Sequence, residues 1–176
     1  MNTAYEVKIL EINHDEMIER LESLGAVLVG DYNQRRYVYD LIPKDKDKWI
    51  RLRTNGIKTT LTIKDITALS LDGTKELEIV VDDFDLMHNI LRELGFVEKA
   101  YQENKRVQYM LDGVEIDLDC WPMVPEYMEI EGNSEAEVLD TLAKLGIDDS
   151  KICTLSVKAV YEKYELDIDA YPILKF

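Results

Sequence analysis

Charged side chains recur at every second position in several short stretches of this chain. Glu6-Val-Lys8, Arg51-Leu-Arg53, Glu76-Leu-Glu78, Asp117-Leu-Asp119 and Glu129-Ile-Glu131 share that spacing, and Lys64 and Arg106 sit in similar alternating runs. Alternate residues of a strand point to one face, so each doublet presents its charges to the same side. The planar forks of Arg51 and Arg53 match phosphate oxygens two at a time. Clustered carboxylates suit a hard divalent cation such as Mg²⁺. Such a site needs only a local group of Arg and Lys. The chain as a whole is acidic, with 36 Asp and Glu against 21 Lys and Arg and a formal net charge of −15. That balance disfavours nucleic acid and an anionic membrane surface as partners, but not a small anion taken in with a metal. A sheet with one solvated face would give the same alternation. Doublets of Arg and Glu, in place of the Thr, Ser and Lys of a wet surface, argue for an enclosed site.

The elements that must position these residues repeat. Glu6 and Glu76 are 70 positions apart, and the same offset aligns Leu24-Gly25 with Leu94-Gly95 and Arg35-Arg36 with Lys105-Arg106. A shorter third copy begins at Glu129-Ile-Glu131 and ends at Leu145-Gly146. Each copy is a strand, an amphipathic helix and Leu-Gly. The helices are expected at His14–Leu24, Asp83–Leu94 and Ser134–Leu145, because their apolar residues recur with the helical period. Gly is the natural residue just past each helix end. Between the helices, Asn55-Gly56 and Asp112-Gly113 read as two-residue hairpin turns. They predict the pairs Thr54 with Ile57 and Arg51 with Thr60, and Arg106 with Asp119 and Gln108 with Asp117. Arg51, Arg53, Lys58, Thr60, Thr62 and Lys64 then share one face. The helices look ample to cover the opposite, apolar faces. The class is α+β with antiparallel strands, in a single domain over 1–176. Two cysteines, Cys120 and Cys153, give no disulfide framework. With no leader-like start and no apolar run of membrane-spanning length, a cytoplasmic protein is expected.

The ordered set of motifs resembles the CYTH superfamily, the class IV adenylate cyclase and thiamine triphosphatase group of triphosphate tunnel metalloenzymes. Glu6-Val-Lys8 resembles the end of its E-x-E-x-K signature, and Trp49-Ile-Arg-Leu-Arg53 its L-R-x-R strand. Thr60-Leu-Thr-Ile-Lys64, Glu76-Leu-Glu78, Lys105-Arg106, Asp117-Leu-Asp119 and Glu129-Ile-Glu131 follow in the family's order. The resemblance implies a closed eight-stranded antiparallel barrel with helices packed outside and a charged tunnel within. It implies triphosphate binding by Lys8, Arg51, Arg53, Lys64 and Arg106. It implies Mg²⁺ or Mn²⁺ held among Glu6, Glu76, Glu78, Asp117, Asp119, Glu129 and Glu131, with Glu129 and Glu131 foremost. Glu6, Lys8, Glu78 and Arg106 are the implied catalytic residues. The expected activity is metal-dependent hydrolysis of tripolyphosphate, ATP or thiamine triphosphate. The alternatives are a cyclase making cyclic AMP and pyrophosphate, and a catalytically weakened triphosphate or polyphosphate binder. The last is motivated by Ala4, which stands where the signature has its first Glu. The segment from Ser156 to Phe176 reads most simply as aromatic packing on the barrel, with closure of one tunnel mouth as the alternative. A homodimer is compatible with the size of the chain.

Overall fold

The computed structural model describes residues 2–68 and 70–176. Met1 and Leu69, inside the expected single domain, lie outside the described residues. The chain runs β1 (Asn2–Leu10), α1 (His14–Ser23), β2 (Val27–Asp40), β3 (Lys48–Thr54), β4 (Thr59–Ile66), β5 (Thr74–Val81), α2 (Phe84–Glu93), β6 (Glu98–Leu111), β7 (Val114–Cys120), β8 (Tyr127–Gly132), α3 (Glu135–Lys144), α4 (Val157–Lys163) and β9 (Ile173–Leu174). Neighbouring strands pair in the order β2-β3-β4-β5-β1-β8-β7-β6, and β2 pairs with β6 to close the ring. All eight pairings are antiparallel. The fold is the expected closed antiparallel barrel with helices outside.

The three repeat helices form where their caps place them. Asn13, Asp83 and Ser134 each accept a hydrogen bond from the backbone N–H three residues on. This satisfies a donor that the first helical turn would leave orphaned. The helices end before Gly25, Gly95 and Gly146, all with positive φ. The repeat is also visible in the sheet. Residues 36 and 102 pair across β2 and β6, as do 32 and 106, and the 70-residue offset exchanges the two pairs. A pseudo-two-fold axis therefore runs through the β2–β6 seam.

The hairpins set which residues face the tunnel. At Asp112-Gly113 both residues take positive φ, as a type I′ turn requires. The expected pairs Arg106–Asp119, Gln108–Asp117 and Met110–Glu115 all form. The Asn55-Gly56 hairpin differs from expectation. Its loop has four residues, and Thr54 pairs with Thr59, Arg53 with Thr60 and Arg51 with Thr62. The Asn55 side chain accepts from the N–H groups of Ile57 (3.0 Å) and Lys58 (2.8 Å), holding both inside the loop. The displacement is two residues, and side chains alternate with period two, so every face assignment on β3 and β4 survives. Lys58 alone leaves the set, because it belongs to the loop.

Outside the barrel, α1 and α3 cover a core of Val7, Ile9, Tyr109, Ile116, Leu118 and Ile130. α2 covers a smaller one of Tyr39, Ile50, Leu52, Phe84 and Leu91. The expectation of full helical cover fails on β5, where Leu77 and Ile79 are 57% and 63% exposed. α3 lies over β8, β1 and β7. Its pseudo-symmetric counterpart would lie over β4, β5 and β3, but the chain passes from β4 to β5 without a helix.

Leu118→Ala should lower unfolding free energy by about 3 kcal/mol in urea denaturation, because Leu118 is fully enclosed and its site cannot collapse. Ile79→Ser should change it by less than about 0.5 kcal/mol, as an exposed position does.

Candidate functional site in the barrel interior

The inward faces carry many charges, interspersed with Gln34, Thr60, Thr62, Gln102 and Asn104. Lys8, Arg36, Arg51, Arg106, Asp117 and Asp119 are all buried, although each is charged. Burying ions is costly unless each finds a partner, and the pairs are dense. Lys8 lies 3.0 Å from Glu129 and 3.6 Å from Glu6. Lys64 sits 2.6 Å from Glu76. Arg51 lies 3.6 Å from Glu78 and 3.9 Å from Glu76. Thr62 donates to Glu78 at 2.7 Å.

Arg106 is the hub. Its Nε and Nη2 donate to Asp119 at 2.8 and 2.6 Å, its Nη2 also reaches Glu129 at 2.7 Å, and its Nη1 donates to Asp117. Despite burial, Asp117 and Asp119 hold the Arg106 guanidinium well above its ordinary range. One cation cannot neutralise three carboxylates. Burial, and then Glu115, Asp119 and Glu129, push Asp117 well above the usual carboxylate range in spite of Arg106. Its Oδ1 has no hydrogen-bond partner. Glu129 is the opposite case: against its burial, Lys8 and then Arg106 hold it far below that range.

The two signs separate along the tunnel. Arg36 and Arg53 lie toward one end, with Arg51 between them and the acids Glu76 and Glu78. Burial, then the charges of Arg53, Arg51 and Arg106, push Arg36 well below its ordinary range. Burial with Arg51 and Arg106 lowers Arg53 to about 10. Arginine keeps its proton in proteins, so both shifts read as an electrostatic deficit that an anion would relieve. At the other end Glu131 meets Glu6, Glu76 and Glu115, and desolvation together with these charges raises it to about 7. Much protein surrounds Glu131, yet its side chain stays open to water, so solvent screening limits what this shift costs the fold. Among the described residues, no three His, Cys, Asp or Glu side chains already converge in a metal-holding geometry. The crowded acids and the orphaned Asp117 oxygen nonetheless fit a hard cation, which takes oxygen ligands and keeps several waters.

All twelve candidate residues from the sequence reach this interior: Glu6, Lys8, Arg51, Arg53, Lys64, Glu76, Glu78, Arg106, Asp117, Asp119, Glu129 and Glu131. Glu129, one of the two foremost metal candidates, is engaged by two cations, whereas no cation among the described residues lies within ion-pair distance of Glu131. Arg36 is the residue missed. Its Nη2 donates to Gln34 at 3.3 Å and to Asn104, and its guanidinium lies 4.5 Å over the Trp121 ring. The signal was present, since the 70-residue offset aligns Arg36 with Arg106. The C-terminal segment also does more than pack on the outside. Leu10, the last residue of β1, and Tyr127, the first of β8, pack with Trp121, Tyr161, Ile168 and Leu174. That cluster lies beside Arg36, whose guanidinium covers the Trp121 ring.

A closed barrel of eight antiparallel strands with both signs of charge inside is the setting for the comparisons. The CYTH domain model matches residues 2–154. The chain belongs to the CYTH family. Among solved structures, a CYTH-like fold recurs in a protein from Pyrococcus horikoshii, at TM-score 0.76 and 22% identity over 89% of this chain and 98% of that one. A candidate adenylate cyclase from Vibrio parahaemolyticus aligns at TM-score 0.75 and 14% identity, covering 92% and 98%. A candidate adenylyl cyclase from Hippeastrum, described as having a dominant triphosphatase activity, aligns at TM-score 0.59 and 17% identity, covering 97% and 100%. No curated protein matches the chain. No helix among the described residues is long and apolar enough to cross a membrane.

Because the folded-state value of Glu131 lies above its unfolded one, its contribution to stability is present at low pH and fades as pH rises through about 7. The melting temperature of the ligand-free protein should therefore carry a falling component between about pH 5 and pH 8. Glu131→Gln should remove that component in a thermal melt series.

Proposed function

We propose that this CYTH protein hydrolyses a linear triphosphate in its tunnel with the help of Mg²⁺ or Mn²⁺. The observation that carries the reading is the polarity of the tunnel. Arg36 and Arg53 are enclosed toward one end without enough negative charge, and acids are crowded at the other. A triphosphate matches the first need and a divalent cation the second. The described activities of the Vibrio and Hippeastrum neighbours fall within the same chemistry of triphosphates.

In this reading Arg51 and Arg53 grip non-bridging phosphate oxygens through their planar forks. Lys8 and Lys64 add point charges where the chain of phosphates passes between the two ends. Arg106 holds Asp117, Asp119 and Glu129 in place, and so fixes the acidic wall rather than the substrate alone. Glu6, Glu131, Glu76 and Asp117 are the residues that would hold the metal. A bound divalent cation polarises the phosphoryl group and lowers the pKa of a coordinated water. Glu78, held by Thr62 and Arg51 and kept below its usual range by them against partial burial, is ionised at neutral pH and able to orient an attacking water. Charge neutralisation and positioning supply most of the catalysis in phosphoryl transfer, and this interior provides both.

Ala4 supports a second reading. It is buried, shares its face with Glu6, and pairs with Thr74, so the acidic end has one carboxylate fewer than the family signature. The second reading is binding without turnover.

Incubation with Mg²⁺ or Mn²⁺ and tripolyphosphate or ATP should release orthophosphate. Cyclic AMP with pyrophosphate would make the chain a cyclase instead. Saturable binding without products would favour the second reading, and Ala4→Glu should then raise turnover. Arg51→Ala with Arg53→Ala should weaken triphosphate binding by at least about a hundredfold, by loss of charge-assisted hydrogen bonds, in a protein that still melts cooperatively. Unchanged binding in that variant would remove the tunnel as the site.

A further inference from the structure

The second half of β5, residues 77–81, has a neighbouring strand on one side only. On that side β4 pairs with it in unbroken register. On the other side β1 pairs with β5 only at residues 74–76, and among the described residues no strand takes up 77–81. Backbone N–H and C=O groups of an antiparallel strand point alternately to its two sides. The far side of this segment is therefore a row of open donors and acceptors, a template for another strand. Its side chains are open as well, with Leu77, Ile79 and Val80 57%, 63% and 55% exposed. Natural edges are usually guarded by lysine, proline or a bulge. Residues 77–81 carry none of these, and their one charge, Glu78, turns inward to Thr62. The start of β2 is a contrast. Residues 27–34 pair with β6 but not with β3, yet a bulge between Leu28 and Gly30 breaks that edge.

We propose that this edge binds a second copy of the chain: residues 77–81 of two copies pair antiparallel across a two-fold axis and join the two barrels through one continuous sheet. The occupant is a second copy because the segment complements itself in one register. A two-fold contact pairs residue i with j and j with i, and residues opposite each other must share a face. Centred on Ile79, the pairing sets Ile79 against itself, Leu77 against Val81 and Glu78 against Val80. Centring on Glu78 sets two carboxylates face to face. Centring on Leu77 sets Glu76 against Glu78, and centring on Val80 sets Glu78 against Asp82. Like charges directly opposite are destabilising, and each chain already carries a net charge of −15. The Ile79 centre avoids all three clashes. It satisfies the open backbone groups and brings Leu77 and Ile79 of both copies into one apolar strip. The contact lies outside the tunnel and does not rest on the tunnel reading. A pairing of five residues is small, so the dimer forms in a concentration-dependent way.

Sedimentation velocity on the full chain should show its mass doubling between about 1 µM and about 100 µM, the range of an interface of small area. Ile79→Lys sets two cations opposite each other on the axis. It should stay monomeric at the higher concentration and keep the wild-type melting temperature at the lower one. Ile79→Cys reads the register. Its two thiols would come within reach of a disulfide, so oxidised glutathione should cross-link the dimer. Leu77→Cys would hold its two thiols roughly 14 Å apart along the strands. It should not cross-link beyond the wild-type background set by Cys120 and Cys153. A wild-type chain that is monomeric at the higher concentration overturns the proposal and leaves the edge to an extended segment of a different protein. A folded Ile79→Lys protein that still doubles its mass, or Leu77→Cys cross-linking as readily as Ile79→Cys, overturns it by placing the contact elsewhere. If Ile79→Lys fails to fold, the two cysteine variants decide by themselves.

Discussion

One buried guanidinium facing three carboxylates organises the interior. Arg106 reaches Asp117, Asp119 and Glu129 from a single position on β6. Lys8 approaches Glu129 from β1, so four strands of the ring are tied through charge as well as through backbone hydrogen bonds. In a medium of low polarity such contacts are strong, and an unmatched ion is correspondingly expensive. The network is therefore stable only as a whole. Its local surplus of negative charge passes to Asp117 and Glu131, and its surplus of positive charge to Arg36 and Arg53. The tunnel is polarised because its ion pairs do not balance locally.

This imbalance links stability to function. A tunnel with every charge paired would be a more stable protein and a worse receptor. Here the uncompensated cations gather beside the wall built by Trp121, Tyr127 and Tyr161, and the uncompensated acids gather where water enters. The C-terminal segment contributes to that polarity by making the two ends unlike.

Much of this was legible in the residues. Period-two charge doublets named the inner faces, and the hairpin misreading at Asn55-Gly56 left them intact, because a shift of two residues conserves the face. The capping residues and the Leu-Gly endings placed α1, α2 and α3 closely. Arg36 was harder to see because β2 lacks a charge doublet. Only its alignment with Arg106 in the repeat marked it. Trp121 and Tyr127 look like core residues, and their unpartnered donors exist only once β7, β8 and the C-terminal segment enclose them.

The sequence by itself determined the three repeat helices, the antiparallel class, the repeat and the inward faces of the charge doublets, since these follow from local periodicity and capping. Closure of the ring through β2 and β6, the separation of charge along the axis and the packing of the C-terminal segment beside Arg36 were decided by the tertiary structure alone. They depend on which distant strands become neighbours. Electrostatic energy depends on distance in space, not on separation along the chain. The acidic net charge showed the same division: −15 argued against extended polyanions at the surface, while the folded barrel gathered enough cations in one place to receive a small one.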